Sequence, residues 1–283
     1  MAIVWTYATD DTRYEVRAAG SSLRFYSNGV LHSQYSERCP VTGSVWDLLW
    51  LPALFRPARS PRRVLLLGTG AGTVIRQLKR LFDPIEIVGV DNNPIHLRVA
   101  REHFGVTPEM AQLLHADAGD YVARYRGPGF DLVIDDLFGG GNGVPERAVQ
   151  FDSAWLRKLQ RCMTDDGVLS INFADRAELV LSGLSRALNR GDRFVSMFEF
   201  TAPAIENVIV GLLPFTAQSA DLRAYLQATP ELADLRSGQE TATDPRSRFQ
   251  SQVLQIQTCS QNDHRDSMLE KIPTSPIRHD PQN

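Results

Sequence analysis

Residues 64–78 read VLLLGTGAGTVIRQL: an apolar run of strand length breaks into three alternating glycines, Gly68, Gly70 and Gly72, and resumes at helical spacing. Glycine lets the chain turn sharply after a buried strand and come close to a ligand, and the free N–H groups of the following helix can receive polar groups. A plain strand-to-helix turn would use the same residues, so the glycines alone do not identify a site. The neighbouring strand adds the missing signal. IEIVGVD ends at Asp91 and runs into Asn92-Asn93-Pro94, a helix cap followed by a proline in the first turn. An acid at that strand end can accept hydrogen bonds from both ribose hydroxyls of a nucleoside lying over the glycine turn.

The nucleoside is not presented as a dinucleotide. The dinucleotide spacing G-x-G-x-x-G fails here because the third glycine arrives one residue early and Thr73 takes the sixth position. A third strand ends in HADAGDY, where Asp117 can reach an adenine amino group while Ala116 and Ala118 leave room for a flat ring; a cap for the next helix is the other reading of Asp117.

The strand–turn–helix alternation continues outward from Arg63. Helices are expected at Thr73–Leu81, Pro94–His103, around Asp120–Tyr125, around Ser153–Met163 and at Glu178–Leu188. Their strands are RVLLLG, EIVGVD, AQLLHAD, FDLVIDD and GVLSINF. Continuous apolar strands between amphipathic helices imply a parallel sheet covered on both faces. RFVSMFEF and NVIVGLL follow without a full helix between them, which predicts an antiparallel end to the sheet, and a helix starts at Ser219. Before this region, Asn28-Gly29 between LRFYS and VLHSQY is a hairpin signal, since both residues tolerate the positive φ of a type I′ turn. Val45–Phe55 has the spacing of a covering helix, closed by a proline- and arginine-rich stretch. The expected division is a β element over 1–40, a Rossmann-like nucleoside-binding domain over 41–236, and a polar extension over 237–283. That extension has too few apolar residues to order itself after about residue 258, although RFQSQVLQIQT could add one strand.

Composition narrows the function classes. With 283 residues, 43% hydrophobic and 22% charged, the chain can bury a large core. Its formal net charge of -3 provides no basic field for nucleic acid or acidic membranes, so neither is expected as a partner. No apolar run has the length of a membrane span and the first residues do not resemble a signal peptide, which sets the expectation of a cytoplasmic protein. The three cysteines, Cys39, Cys162 and Cys259, are scattered without CxxC spacing, and no cluster has metal-ligand spacing.

VLLLGTGAG, VGVDNNP, HADAGDY and FDLVIDDLFG, in this order and spacing, resemble the class I S-adenosylmethionine-dependent methyltransferase fold. The segments LRFYSNGVLHSQYSE and DLVIDD…VPERAVQFDSAWLRKLQRCMTDDGVLSIN resemble, more narrowly, its spermidine synthase-like branch. The resemblance covers roughly residues 20–215. It implies an α/β fold whose mostly parallel sheet ends antiparallel, with a small N-terminal hairpin element and sometimes a homodimer paired through it. It also implies a donor, S-adenosyl-L-methionine or its decarboxylated form, held by Gly68, Gly70, Gly72, Asp91, Asn92, Asp117, Ala118 and Asp136.

Two positions depart from the polyamine aminopropyltransferase pattern. That pattern has an acid inside the glycine turn where this chain has Ala71. It has a second acid three residues after the strand-end aspartate, where Asp136 matches the first and Gly139 stands in place of the second. Polyamines are multiply cationic, so carboxylates are their natural partners, and loss of an acid also lessens repulsion toward the carboxylate of intact S-adenosylmethionine. On these grounds methyl transfer to a small acceptor is placed ahead of aminopropyl transfer, with Asp136 as the general base or amine anchor; a non-catalytic nucleoside-binding scaffold is the reading from another class. Asp135 is expected to cap the following loop, and Gly139–Gly143 to form either a lid or a permissive loop. Pro145, Glu146 and Phe151 match the loop of the resembled branch. His32, Gln34 and Tyr35 fall where that branch contributes a glutamine to the pocket, with His32 read as a strand-surface residue. Trp46 and Asp47 fall where it has a pocket-lining segment, and Trp46 serves equally as core. His96 and His103, beside Arg98 and Arg101, read as a solvated helix face.

Overall fold

The computed structural model describes residues 1–56, 60–139, 146–184, 193–202, 205–228 and 257–259. Four strands open the chain, β1 (Ala2–Ala8), β2 (Arg13–Ala19), β3 (Ser22–Ser27) and β4 (Val30–Ser36), and they pair in sequence order as an antiparallel sheet. The β3–β4 turn is the one the sequence demands: Asn28 and Gly29 take φ of 48° and 82°, both left-handed, and Ser27 faces Val30.

The second sheet has eight strands: β5 (Arg63–Leu67), β6 (Glu86–Asp91), β7 (Gln112–His115), β8 (Phe130–Asp135), β11 (Met163–Phe173), β12 (Ser196–Ala202), β13 (Ile205–Leu213) and β14 (Gln257–Cys259). Their spatial order is β14-β12-β13-β11-β8-β5-β6-β7. Neighbours from β7 to β11 run parallel, and β13, β12 and β14 extend the sheet antiparallel. Two-residue strands β9 (Phe138–Gly139) and β10 (Glu146–Arg147) pair separately.

The helices are α1 (Val45–Leu49), α2 (Thr73–Leu81), α3 (Pro94–Glu102), α4 (Ala118–Arg124), α5 (Ser153–Gln160), α6 (Arg176–Leu181) and α7 (Ser219–Ala228). The α2 bounds coincide with the expectation and those of α3 fall one residue short of it. The proposed covering helix over 45–55 is instead α1 followed by a 3₁₀ turn, Leu51–Phe55, and it is buried from Trp46 onward. Pro52 explains the break, because proline cannot donate the i→i−4 hydrogen bond of a continuing α-helix. Likewise α5 stops at Gln160 since Met163 already belongs to β11, and α6 ends at Leu181; the part of its expected span beyond 184, like the segments flanking β14, lies outside the described residues.

Apolar layers lie on both faces of the large sheet. One contains Trp50, Leu54, Ile75, Leu78 and Leu222; the other contains Val122, Trp155, Leu159 and Phe173. A third cluster of Tyr14, Val16, Phe25, Tyr35, Ala71, Val99 and Phe104 joins the N-terminal sheet to α2 and α3. No helix among the described residues is long and apolar enough to cross a membrane. The strand ends that carry Gly68, Asp91 and Asp136 therefore meet under the hairpin of β3 and β4.

Candidate functional site

Gly68 and Gly70 hold positive φ of 85° and 53°, as the turn requires, but the space beside them is taken by the protein. A Cβ on Gly68 would lie 2.0 Å from the Asp136 carbonyl oxygen, and one on Gly70 would lie 2.9 Å from Ser33 Oγ. The glycines thus serve close backbone packing as well as the cleft. Gly72 caps α2 and packs on Val106, away from the cleft. Ala71 is fully buried in the cluster under the N-terminal sheet, and its N–H donates to Ser33 Oγ at 2.8 Å. Its methyl group therefore packs in an apolar seam.

Asp91 organises the turn. Its Oδ2 accepts the N–H groups of Thr69 at 3.0 Å and Gly70 at 2.9 Å, and Oδ1 accepts the N–H of Asn93 at 2.8 Å. His96 Nδ1 stands 3.5 Å from Oδ2. Burial alone would raise the Asp91 pKa, but His96 and the Asn93 and Gly70 amides hold it below the ordinary value. A carboxylate has about four acceptor sites, so Oδ1, engaged once, still has capacity for a hydroxyl.

Two adjoining clefts open here, of about 270 and 160 Å³. They share Val30, His32, Gly68, Asp91, His96 and Phe138. The larger is also lined by Asn92, Ala116, Asp117, Ala118 and Leu137, so small apolar side chains against which a nucleoside base can lie stand beside polar ones. Asp117 is exposed on its rim and caps α4, accepting the Asp120 N–H at 2.9 Å, as its capping reading expects. The residues present fit a nucleoside, with a hydroxyl acceptor at Asp91 and an adenine-sized slot beside it.

The smaller cleft holds Asp136. Asn172 Nδ2 donates to its Oδ1 at 2.7 Å, and Asn207 Nδ2 donates to Asn172 Oδ1 at 3.0 Å. Burial pushes the Asp136 pKa up to about 6, with the Asn172 bond opposing and Asp135 adding to the rise. At neutral pH the group is ionised yet close enough to its pKa to take a proton.

Asp135 does not cap the loop. It is fully buried, pairs with Arg147 at 2.8 Å and accepts Trp155 Nε1–H at 2.8 Å. Arg147 also donates to the Asn172 carbonyl and faces Glu178 at 3.3 Å, so it pins the end of the β9–β10 ladder to the ends of β8 and β11. The lid assigned to Gly139–Gly143 lies outside the described residues beyond Gly139, as does Pro145. Trp46 both joins the core and lines the smaller cleft, while Asp47 turns inward to accept Thr42, Gly43, Ser44 and Gln77 donors.

The histidines depart most from expectation. His96 is buried at 9% exposure, not solvated, because α3 turns that face toward the hairpin; its ring meets Phe25 edge-on at 5.3 Å and His32 at 5.1 Å. His32 lines both clefts, and burial, with His96 beside it, drives its pKa down to about 4. It is neutral at pH 7. His103 is half-buried against Trp5. The spacing 96, 99, 100, 103 with Val99 and Ala100 was a readable sign that His96 faces inward. Asn172 and Asn207 had no such sign.

A sequence-family model described as "Methyltransferase domain" matches residues 59–222, more than half of the chain. The chain belongs to the methyltransferase domain family. Among the proteins it resembles are polyamine aminopropyltransferases and spermidine synthases. It is 33% identical over 141 residues to "Polyamine aminopropyltransferase 2" of Caldanaerobacter subterraneus subsp. tengcongensis, covering 49% of this chain and 45% of that one. It is 28% identical over 140 residues to the mouse "eEF1A lysine and N-terminal methyltransferase", covering 45% and 20%. The chain thus spans about half the length, or less, of the curated relatives it matches. The structure of "a probable spermidine synthase from Corynebacterium glutamicum" superposes with a TM-score of 0.65 at 17% identity, over 86% of this chain and 97% of that one, and shows the shared fold.

Proposed function

We propose that this family member is a transferase that takes an alkyl group from an S-adenosylmethionine-type donor, and that the group is aminopropyl, passed from decarboxylated S-adenosylmethionine to an amine. The observation that carries this reading is Asp136: a cleft-facing carboxylate, raised to about 6, beside the glycine turn. When bound, the donor supplies a sulfonium from which an alkyl carbon passes to nitrogen while sulfur keeps the electron pair of the broken bond and the amine gives up one proton. Asp136 receives that proton and Asn172 steadies the carboxylate. Asp91 orients the ribose and the walls near Ala118 and Leu137 take the base. The name of the 33% identical relative supports aminopropyl transfer over the methyl transfer ranked first on Ala71 and Gly139.

Methyl transfer is kept as the second reading on one observation. The glycine turn carries no acid, and position 71 lines neither cleft, so no carboxylate from the turn reaches the donor's primary amine. The name of the mouse relative agrees with it. Calorimetry with S-adenosylmethionine and with its decarboxylated form, followed by mass spectrometry of an amine mixture, separates the two. Tighter binding of the decarboxylated donor and an amine product heavier by an aminopropyl group are expected. A product heavier by a methyl group overturns this reading in favour of the second, and binding of neither donor favours a scaffold. Asp91→Ala should weaken donor binding at least tenfold; equal binding would refute the ribose assignment.

A further inference from the structure

The charge inventory around the smaller cleft restricts the acceptor. Two carboxylates line it, Asp136 and Asp91. Asp91 is turned into the glycine turn, where three backbone N–H groups and His96 surround it, and its remaining acceptor capacity is the one given to the ribose. Asp135, just behind, is neutralised by Arg147. One carboxylate therefore remains for a cation on the described walls. Beside Asp136 stands Asn172 and, one hydrogen bond further on, Asn207, neutral amides that hydrogen-bond but cannot compensate a second ammonium, and the remaining surface includes Leu31, Trp46 and Val74. Between Gly139 and Glu146 the sequence, GGNGVP, contains no acid. An ammonium placed against amides and apolar side chains loses its water without gaining a counter-charge.

We propose that the acceptor is a compact primary amine with a single positive charge and an apolar body, its nitrogen at Asp136 and its far end against Asn207. This rests on the reading that the smaller cleft receives the acceptor of an alkyl transfer. The smaller cleft, about 160 Å³ against about 270 Å³ for the larger, suits a short chain. The group-transfer balance is the one given above: a C–N bond forms, a C–S bond breaks toward sulfur, and Asp136 takes the amine proton.

The test uses the whole chain with each donor and three amines of one length: 1-aminobutane, 4-amino-1-butanol and 1,4-diaminobutane. Either singly charged amine should exceed the diamine at least tenfold in kcat/KM, and calorimetry of the amines alone should give the same order. Asn207→Asp, which adds a carboxylate beyond Asn172, should cut that preference tenfold or reverse it. A diamine used as well as the monoamines by the unmodified chain overturns the proposal and leaves aminopropyl transfer standing. A methyl product on the monoamines upholds the proposal and removes aminopropyl transfer. Donor binding with no transfer to any of the three overturns both.

Discussion

Asp136 stores a cost that its neighbours only partly offset. Its carboxyl has a pKa of about 6 in the folded chain against an ordinary 3.8. The folded state therefore binds its proton more readily than the unfolded one, so this group's contribution to stability falls as pH rises from about 4 to about 6 and is flat above. Asp136→Asn, which can still accept from Asn172, is expected to raise unfolding free energy by about 1–3 kcal/mol at pH 7.5 and to change it little at pH 4. Urea melts at the two pH values check this; an equal gain at both would mean that the carboxylate is not strained by burial. The same substitution should abolish transfer, the usual exchange between stability and activity at a site. Residues of this kind were legible because a strand-end acid follows a recognisable apolar run. Asn172 and Asn207 were not. They meet only because β11 and β13 pair antiparallel, with Asn172 opposite Ile209, and no local pattern records that register.

Among the elements, α2 and the β3–β4 turn follow directly from spacing and glycine placement, and they came out as read. The 45–55 segment does not, because Pro52 interrupts a helix that the apolar periodicity would otherwise continue. Asp47 then became the anchor of α1: it accepts from Thr42, Gly43 and Ser44 in one turn and from Gln77 of α2 at 2.6 Å. The β9–β10 ladder was equally invisible, since two residues on each side carry no periodicity and the decisive partner, Arg147, reaches back to Asp135 over 12 positions. Arg147 and Asp135 are 3% and 0% exposed. Removing one member of a buried pair leaves an uncompensated charge, so Arg147→Met should cost about 3–5 kcal/mol. Adding Asp135→Asn should recover most of that loss, because the amide oxygen can still accept from Trp155. A double-mutant cycle by chemical denaturation measures it; additive losses would show that the two residues act independently.

At the scale of the whole molecule, the N-terminal sheet is a roof. Its Phe25 is fully buried, stacks on Tyr14 at 6.1 Å and meets His96 edge-on, while Asn93 Nδ2 donates to the Tyr14 hydroxyl at 3.0 Å. Phe25→Ala is expected to cost about 3–5 kcal/mol and to weaken donor binding, since His96 and Asn93 both touch Asp91. Thermal melts paired with calorimetry test the link; lost stability with unchanged donor affinity would show the roof to be mechanically separate from the cleft. This coupling also changes what position 71 means. Its side chain lies in the seam beneath the roof, so an acid there would have to be buried among Tyr14, Phe25 and Val99, and alanine keeps the two sheets in contact.

The paired ends Phe138–Arg147 and Gly139–Glu146 give the segment between them an unusual standing. Because the ladder and the Arg147–Asp135 pair close its base independently of what it contains, lengthening or rewriting residues 140–145 adds only a slowly growing closure entropy to the folded chain. A change of length between Gly139 and Glu146 is thus met by the ladder before it reaches the large sheet.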